Sequence, residues 1–329
     1  MRRFGAILTA ALLLISVTSF SSQAAPMIKI AIAYDIGGRG DHGINDSVAK
    51  GVDFIKKKYN LTSLSVREMV TNGTEGDRES RLQFLASANY NLIVAVGSGY
   101  AQAVDVVSSA NPATQFAIIN DSSIGNLNLS DMVFSNPDGA YLAGVLAGAA
   151  TKSNKVGFIS QTPLAKYLSD FQKGVASLKP KVTVLSQVID VAPAARVQTL
   201  VSQGADTIFS EWSSTSEVQD AIAKLSTTKH PIHLIGVDPD QYFLLDKSSQ
   251  NILIGAVSKR LDIAVEDVMA AALKNQNFID VLNPAQGVFG HLYTVRNGGE
   301  AIALTKLGAP YAIKVAAAIA ALKSGKVKS

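Results

Sequence analysis

Cysteine is absent from all 329 residues, which excludes a thiol nucleophile, a disulfide framework and a thiolate metal site. Histidine is scarce. His42, His230, His233 and His291 are the whole set, none in HxxxH or HxH spacing, so no metal centre is expected. Charge of one sign is not in excess either. Thirty Lys and Arg stand against 26 Asp and Glu, and two of the cations, Arg2 and Arg3, sit at the extreme N-terminus. So small a surplus does not make a nucleic-acid surface. The apolar run Ala6 to Val17 is shorter than the roughly 20 residues a membrane span needs. GxxxxGK[ST] and GxSxG are also missing, which removes support for nucleotide hydrolysis and for a serine nucleophile.

What is present is globular material: 47% hydrophobic and 17% charged residues, in a length that suits two domains. Arg2 and Arg3, the short apolar run, and Ser22-Gln23-Ala24-Ala25 have the order of a secretory signal. Residues 1–25 are therefore expected to be removed. The remainder would be a soluble exported protein, periplasmic or extracellular, with no cysteine to carry a lipid.

From Ile28 onward, short β-branched runs alternate with segments of helical period. Ile28 to Tyr34, Ser63 to Val70, Leu92 to Val96 and Gln115 to Asn120 read as strands. Between them Val48, Val52 and Ile55, then Arg78 to Ser87, then Tyr100 to Ser108, read as helices. The alternation restarts at Asp131 and runs to a long helix from Lys259 to Lys274 and a last one from Pro310 to Lys323. Gly139 to Ala150, rich in Ala and Gly, predicts a tightly packed helix. The fold class is α/β: two Rossmann-like lobes with parallel sheets.

Polar residues gather where these strands end. Asp35 to Asp46 follows the first, Ser98 and Gly99 the third, and Asn120 and Asp121 the fourth. Glu211-Trp212 and Asp238 to Gln241 do the same in the second half. Open α/β sheets bind ligands at the C-terminal ends of their strands, so two facing rows would make a cleft. Carboxylates and amides there suit a neutral polyhydroxylated guest, a ribose diol among them, and Trp212 would stack on a planar base. Asp46, Ser98, Gly99, Asn120, Asp121 and Trp212 are candidate ligand contacts on this ground.

The glycines Gly38, Gly40 and Gly43 also fit GxGxxG. They start several residues past the strand, however, and Asp35 and Asp41 would repel a pyrophosphate. A hydrolase of nucleosides would want a dense carboxylate cluster around a metal, and Asp35, Asp41 and Asp46 are spaced too loosely for one. The alternative to a carrier is a sensor for another small molecule, such as a sugar, base or vitamin.

Ordered motifs carry a resemblance over nearly the whole chain after the signal. Gly37 to Ser47 followed by Gly51 resembles GGxGDxSFNDSxxxG. Phe116 to Asn120 resembles FAIID, Gly139 to Gly144 resembles GSYLAG, and Lys155 to Phe158 resembles KVGF. Gly236 to Gln241 resembles GVDSDQ, and Ser258 to Val265 resembles SxxKRVDxAV. These are motifs of the basic membrane protein family of ABC-importer solute-binding components, whose characterised type is a purine-nucleoside receptor. The resemblance implies a type I periplasmic-binding-protein fold with three crossings, residues 27–133 and 256–286 in one lobe, and 134–255 and 287–329 in the other. It implies a small nucleoside-like ligand, a membrane permease as partner, a monomer, no cofactor and no enzymatic activity.

Carried over by position, Asp41 and Asn45 would contact the base or its surroundings. Asp238 would bind ribose hydroxyls, Lys259 would reach the sugar side, and Phe171 would stack on the base. The chain departs from the pattern at Ile44, where the family has phenylalanine, and at Asn120, where it has aspartate. It also departs at Ser160-Gln161, at Glu211 to Thr215 and at the missing lipobox cysteine.

Overall fold

The computed structural model describes residues 28–161, 163, 165–189, 192–211, 216–278 and 280–327. The expected signal segment and Trp212 lie outside them.

The first half of the chain runs β1 (Ile30–Tyr34), α1 (Ile44–Lys58), β2 (Val66–Val70), α2 (Glu75–Ser87), β3 (Leu92–Val96), α3 (Ala101–Ala110), β4 (Gln115–Ile119) and β5 (Leu129–Phe134). A second set follows: α4 (Asn136–Ala150), β6 (Lys155–Ser160), α5 (Ala165–Leu178), β7 (Thr183–Val188), α6 (Pro193–Ser202), β8 (Thr207–Ser210), α7 (Glu217–Leu225), β9 (His233–Val237), α8 (Lys247–Gln250) and β10 (Leu253–Lys259). The chain closes with α9 (Leu261–Leu273), β11 (Asp280–Asn283), β12 (Val288–Tyr293), β13 (Glu300–Leu304) and α10 (Ala312–Lys323).

Two sheets result. The first has the order β11-β12-β5-β4-β3-β1-β2 and the second β13-β10-β9-β8-β6-β7. Strip the edges and the wiring is the same in both. β2-β1-β3-β4-β5 and β7-β6-β8-β9-β10 are all-parallel runs with one strand order. In such an order the crevice lies where the connections leave in opposite directions. The inner strands are buried on both faces, as unbroken runs such as Leu-Ile-Val-Ala-Val of β3 require.

Sheet membership places the crossings between lobes after Phe134, after Lys259 and after Tyr293. The expected boundaries fell at 133, 255 and 286. The antiparallel edges, β11 against β12 and β13 against β10, are too short to stand out in the sequence.

Each lobe is stitched by a helix that follows a crossing. α9 returns to the first lobe, where Leu261, Val265 and Met269 join Val48 and Val52 of α1 in one core. α4 enters the second lobe and packs Tyr141 and Val145 against Phe171 and Val175 of α5. Both contacts depend on glycine. A Cβ on Gly51 of α1 would run into the carbonyl of Asp262. On α4 and α5, a Cβ on Gly144 would overlap the carbonyl of Phe171, and one on Gly174 that of Tyr141. The Ala- and Gly-rich composition of α4 is thus a close-packing signal. The opposite faces hold separate cores, one under α2 and α3 and one under α6 and α7.

Candidate functional site

A cavity of about 240 Å³ lies between the lobes. Ile44, Asn120 and Leu261 reach it from the first lobe, and Tyr167, Glu211, Asp238, Lys259 and Glu300 from the second. All of these polar groups but Glu300, which opens β13, stand at C-terminal ends of strands or in the segments that follow. Asn120 comes directly after β4, Glu211 after β8 and Asp238 after β9, and Lys259 ends β10. An adjoining hollow of about 30 Å³, lined by Gly43, Ile44, Ser47, Asp238 and Lys259, joins the start of α1 to the opposite wall.

Asn120 and Asp238 occupy equivalent places in the two sheets. Each follows the fourth strand of its lobe in a left-handed conformation, with φ of 65° and 53°. Each backbone N–H donates to the fifth strand, Asn120 to the Met132 carbonyl at 2.9 Å and Asp238 to that of Val257 at 2.8 Å. Asn and Asp tolerate this conformation best among residues with a Cβ, and such outliers cluster where ligands are held. Across the cleft, Lys259 Nζ donates to Asn120 Oδ1 at 3.1 Å, so one side-chain bond joins the two lobes at the cavity.

Of the expected contacts, Asn120, Asp238 and Lys259 meet at the cavity. The residues of the first loop are engaged elsewhere. The Asp41 carboxylate accepts the backbone N–H groups of Gly43, Asn45 and Asp46 and the side-chain amide of Asn45, at 2.8 to 3.1 Å. This satisfies the open N-terminus of α1. Asn45 is 1% exposed and accepts from the Asp35 N–H. Asp46 accepts from the Gly40 and His42 N–H groups. Ser98 and Gly99 lie in an exposed turn, where a Cβ on Gly99 would come within 2.9 Å of both Arg78 and Asp35, an ion pair behind the loop. Asp121 accepts from Ser123. Phe171 is 0% exposed, stacked on Phe209 at 5.6 Å beneath the cavity.

Tyr167, Glu211 and Glu300 complete the lining. Tyr167 stands one helical turn before Phe171 on the same face of α5, and that spacing is the signal that could have found it. Glu211 is visible as the residue directly after β8. Glu300 opens an apolar edge strand after Gly298-Gly299 and pairs across it with Lys259.

The electrostatics of the second-lobe wall are unusual. Burial pushes the Glu300 carboxyl up to about 9, with repulsion from Asp138 adding and Lys259 opposing. Burial also raises Glu211, against Lys259 and with help from Asp238. The Tyr167 hydroxyl is held well above its ordinary value by burial beside Glu211, Glu300 and Asp238. Near neutral pH Glu300 therefore holds a proton that an exposed glutamate would not.

Comparison with known proteins agrees with this architecture. Residues 28–280 match the family model described as ABC transporter substrate-binding protein PnrA-like. A CD4+ T-cell-stimulating antigen of Listeria monocytogenes is 31% identical over 260 residues, 74% of this chain and 73% of that protein. The ABC transporter nucleoside-binding protein BmpA of Lactococcus lactis is 25% identical over 318 residues, 91% of this chain and 88% of its own. Among solved structures, a transcriptional activator of the comK gene from Bacillus halodurans superposes with a TM-score of 0.70 at 15% identity, covering 91% of this chain and 99% of its own. An ABC transporter solute-binding protein from Conexibacter woesei gives 0.67 at 15%, covering 92% and 98%. These likenesses of structure show the fold, a two-lobed periplasmic-binding-protein architecture. With the family model spanning most of the chain, this protein belongs to the PnrA-like ABC transporter substrate-binding family, whose members are solute-binding components and not enzymes.

Proposed function

We propose that the cleft binds a purine nucleoside or a close relative and presents it, from outside the cytoplasm and as a monomer, to a membrane permease. The observation that carries this is the Asn120–Lys259 bond across a cavity whose other polar walls are Asp238, Glu211 and Glu300. A guest seated there touches both lobes at once and so favours the closed arrangement over the open one.

In this reading Asp238 accepts two ribose hydroxyls and Lys259 holds the sugar side. Tyr167 takes the aromatic place that Phe171 would otherwise fill, and Ile44 covers the other face of the base. Asp41, Asn45 and Asp46 serve the ligand indirectly, by holding the loop that delivers Ile44. The name of the Lactococcus lactis relative supports the ligand class. The charged start and small-residue stretch of residues 1–25 support export.

Calorimetric titration of the purified chain against nucleosides, bases, sugars and vitamins tests the reading. Nucleoside binding is the expected result, and binding of sugars alone would overturn it.

A further inference from the structure

The cleft holds more acid than a neutral sugar–base ligand needs. Glu211, Asp238 and Glu300 share its second-lobe wall with a single ammonium, Lys259. Asp238 and Lys259 have work in the ribose reading; the two glutamates do not. Glu300 is 3% exposed, and beyond an approach by the Gly139 backbone N–H at the start of α4 its carboxyl oxygens have no hydrogen-bond partner among the described residues. A buried carboxyl so sparsely satisfied at a cavity wall is destabilising unless something that enters the cavity supplies the missing donors.

Resting on the nucleoside reading above, the geometry points to a donor-reading subsite: Glu300 and Glu211 receive N–H groups of the ligand's heterocycle. An amino-substituted base is thereby selected over one that offers carbonyl oxygens or negative charge at the same place. A carboxylate can accept two parallel N–H donors, so an amide N–H beside an exocyclic amine is a matched partner. A carbonyl there can take only the single O–H of the neutral acid, and the second carboxyl oxygen stays unsatisfied. Lys259, the cross-strand neighbour of Glu300, stays committed to Asn120 and the acceptor end of the guest.

The charged and titratable groups around Glu300 are Asp138 at the start of α4, Lys259 on β10, and Tyr167, Glu211 and Asp238 across the cavity. Its burial keeps it protonated at neutral pH. An N–H donor prefers the ionised form, so binding releases a proton. Affinity for a donor-bearing base then rises with pH up to the range where Glu300 ionises unaided.

Guanosine, inosine and xanthosine test this directly, because they differ in whether an amine, a hydrogen or a carbonyl occupies one ring position. The wild-type chain is expected to bind guanosine roughly tenfold to a hundredfold more tightly than xanthosine, the scale of one charge-assisted hydrogen bond. Inosine should fall between them. Guanosine affinity should increase from pH 6 to pH 8. Glu300→Gln, which keeps shape but cannot ionise, should shrink the guanosine preference and flatten the pH slope. Should that variant fail to fold by circular dichroism, Glu211→Gln and the wild-type pH slope decide the matter by the same readings. Nucleoside binding with no amine preference and no change in either variant would overturn the subsite and leave the nucleoside reading standing. Binding of no nucleoside at all would overturn both.

Discussion

The two lobes share a strand order and use their polar residues in opposite ways. In the first lobe the long loop after β1 is rich in charge, and nearly all of that charge is consumed locally. Asp41 caps α1, Asn45 ties the loop back to Asp35, and Asp46 closes it from the other side. In the second lobe the strands end in fewer polar residues, but Glu211, Asp238 and Glu300 turn toward the cavity. A dense polar motif can thus be loop architecture, and a sparse one can be the binding wall. The difference lies in whether backbone N–H groups at a helix start compete for the carboxylate.

The same contrast applies to buried carboxyls. Each lobe has one that is poorly satisfied: Asp131 in β5 has no hydrogen-bond partner among the described residues, and Glu300 in β13 has only the approach of the Gly139 N–H. Asp131 is sealed in the first lobe's wall, where burial, with Asp121 nearby, pushes it up to about 8. Glu300 opens on the cleft.

The comparison can be broken at several points. The largest effect is expected at the helix contacts that the lobes have in common. Gly144→Val in the second lobe and Gly51→Val in the first should each destabilise by about 3 kcal/mol or more, because the added atoms meet backbone that cannot step aside. Urea unfolding would show it. A loss in one lobe only would mean that the two contacts are not equivalent.

Asp131 should make stability fall as pH rises. Above the ordinary carboxylate range the unfolded chain gives up this proton while the folded chain keeps it, until Asp131 ionises near pH 8. The slope is on the order of 1 kcal/mol per pH unit. Asp131→Asn should flatten the wild-type decline between pH 5 and pH 8 in urea unfolding and leave ligand affinity unchanged. A variant with the wild-type slope would remove Asp131 as its source.

A third test sets loop carboxylate against cleft carboxylate. Asp41→Ala should lose about 1–2 kcal/mol of stability, the worth of a helix cap. Asp238→Ala should weaken nucleoside binding by roughly 1.5–3 kcal/mol. If Asp238→Ala left calorimetric affinity intact, Asp238 would leave the site. The smallest effect belongs to the exposed Arg39, which pairs with Asp53 at 2.8 Å and Glu68 at 2.7 Å. Arg39→Ala should cost under about 1 kcal/mol, less at high salt.

Much of this architecture was legible in the sequence, because buried parallel strands must be runs such as Ile30 to Tyr34 and helices must recur at 3.6 residues. Asn120, Asp238 and Lys259 were legible as strand-end residues and by family motif. Tyr167 was hidden behind Phe171, since both share one helix face and only depth separates them. Glu300 was hidden because an antiparallel edge strand of five residues carries little periodic signal.

By itself the sequence determined the alternation of elements, the absence of thiol chemistry and the family, since all three follow from residue types and their order. Which carboxylate caps a helix, which lines a cavity and which is buried without a partner was decided only by the tertiary structure. The reason is physical: an acid's role depends on the donors and the solvent that other parts of the chain bring within about 3 Å of it.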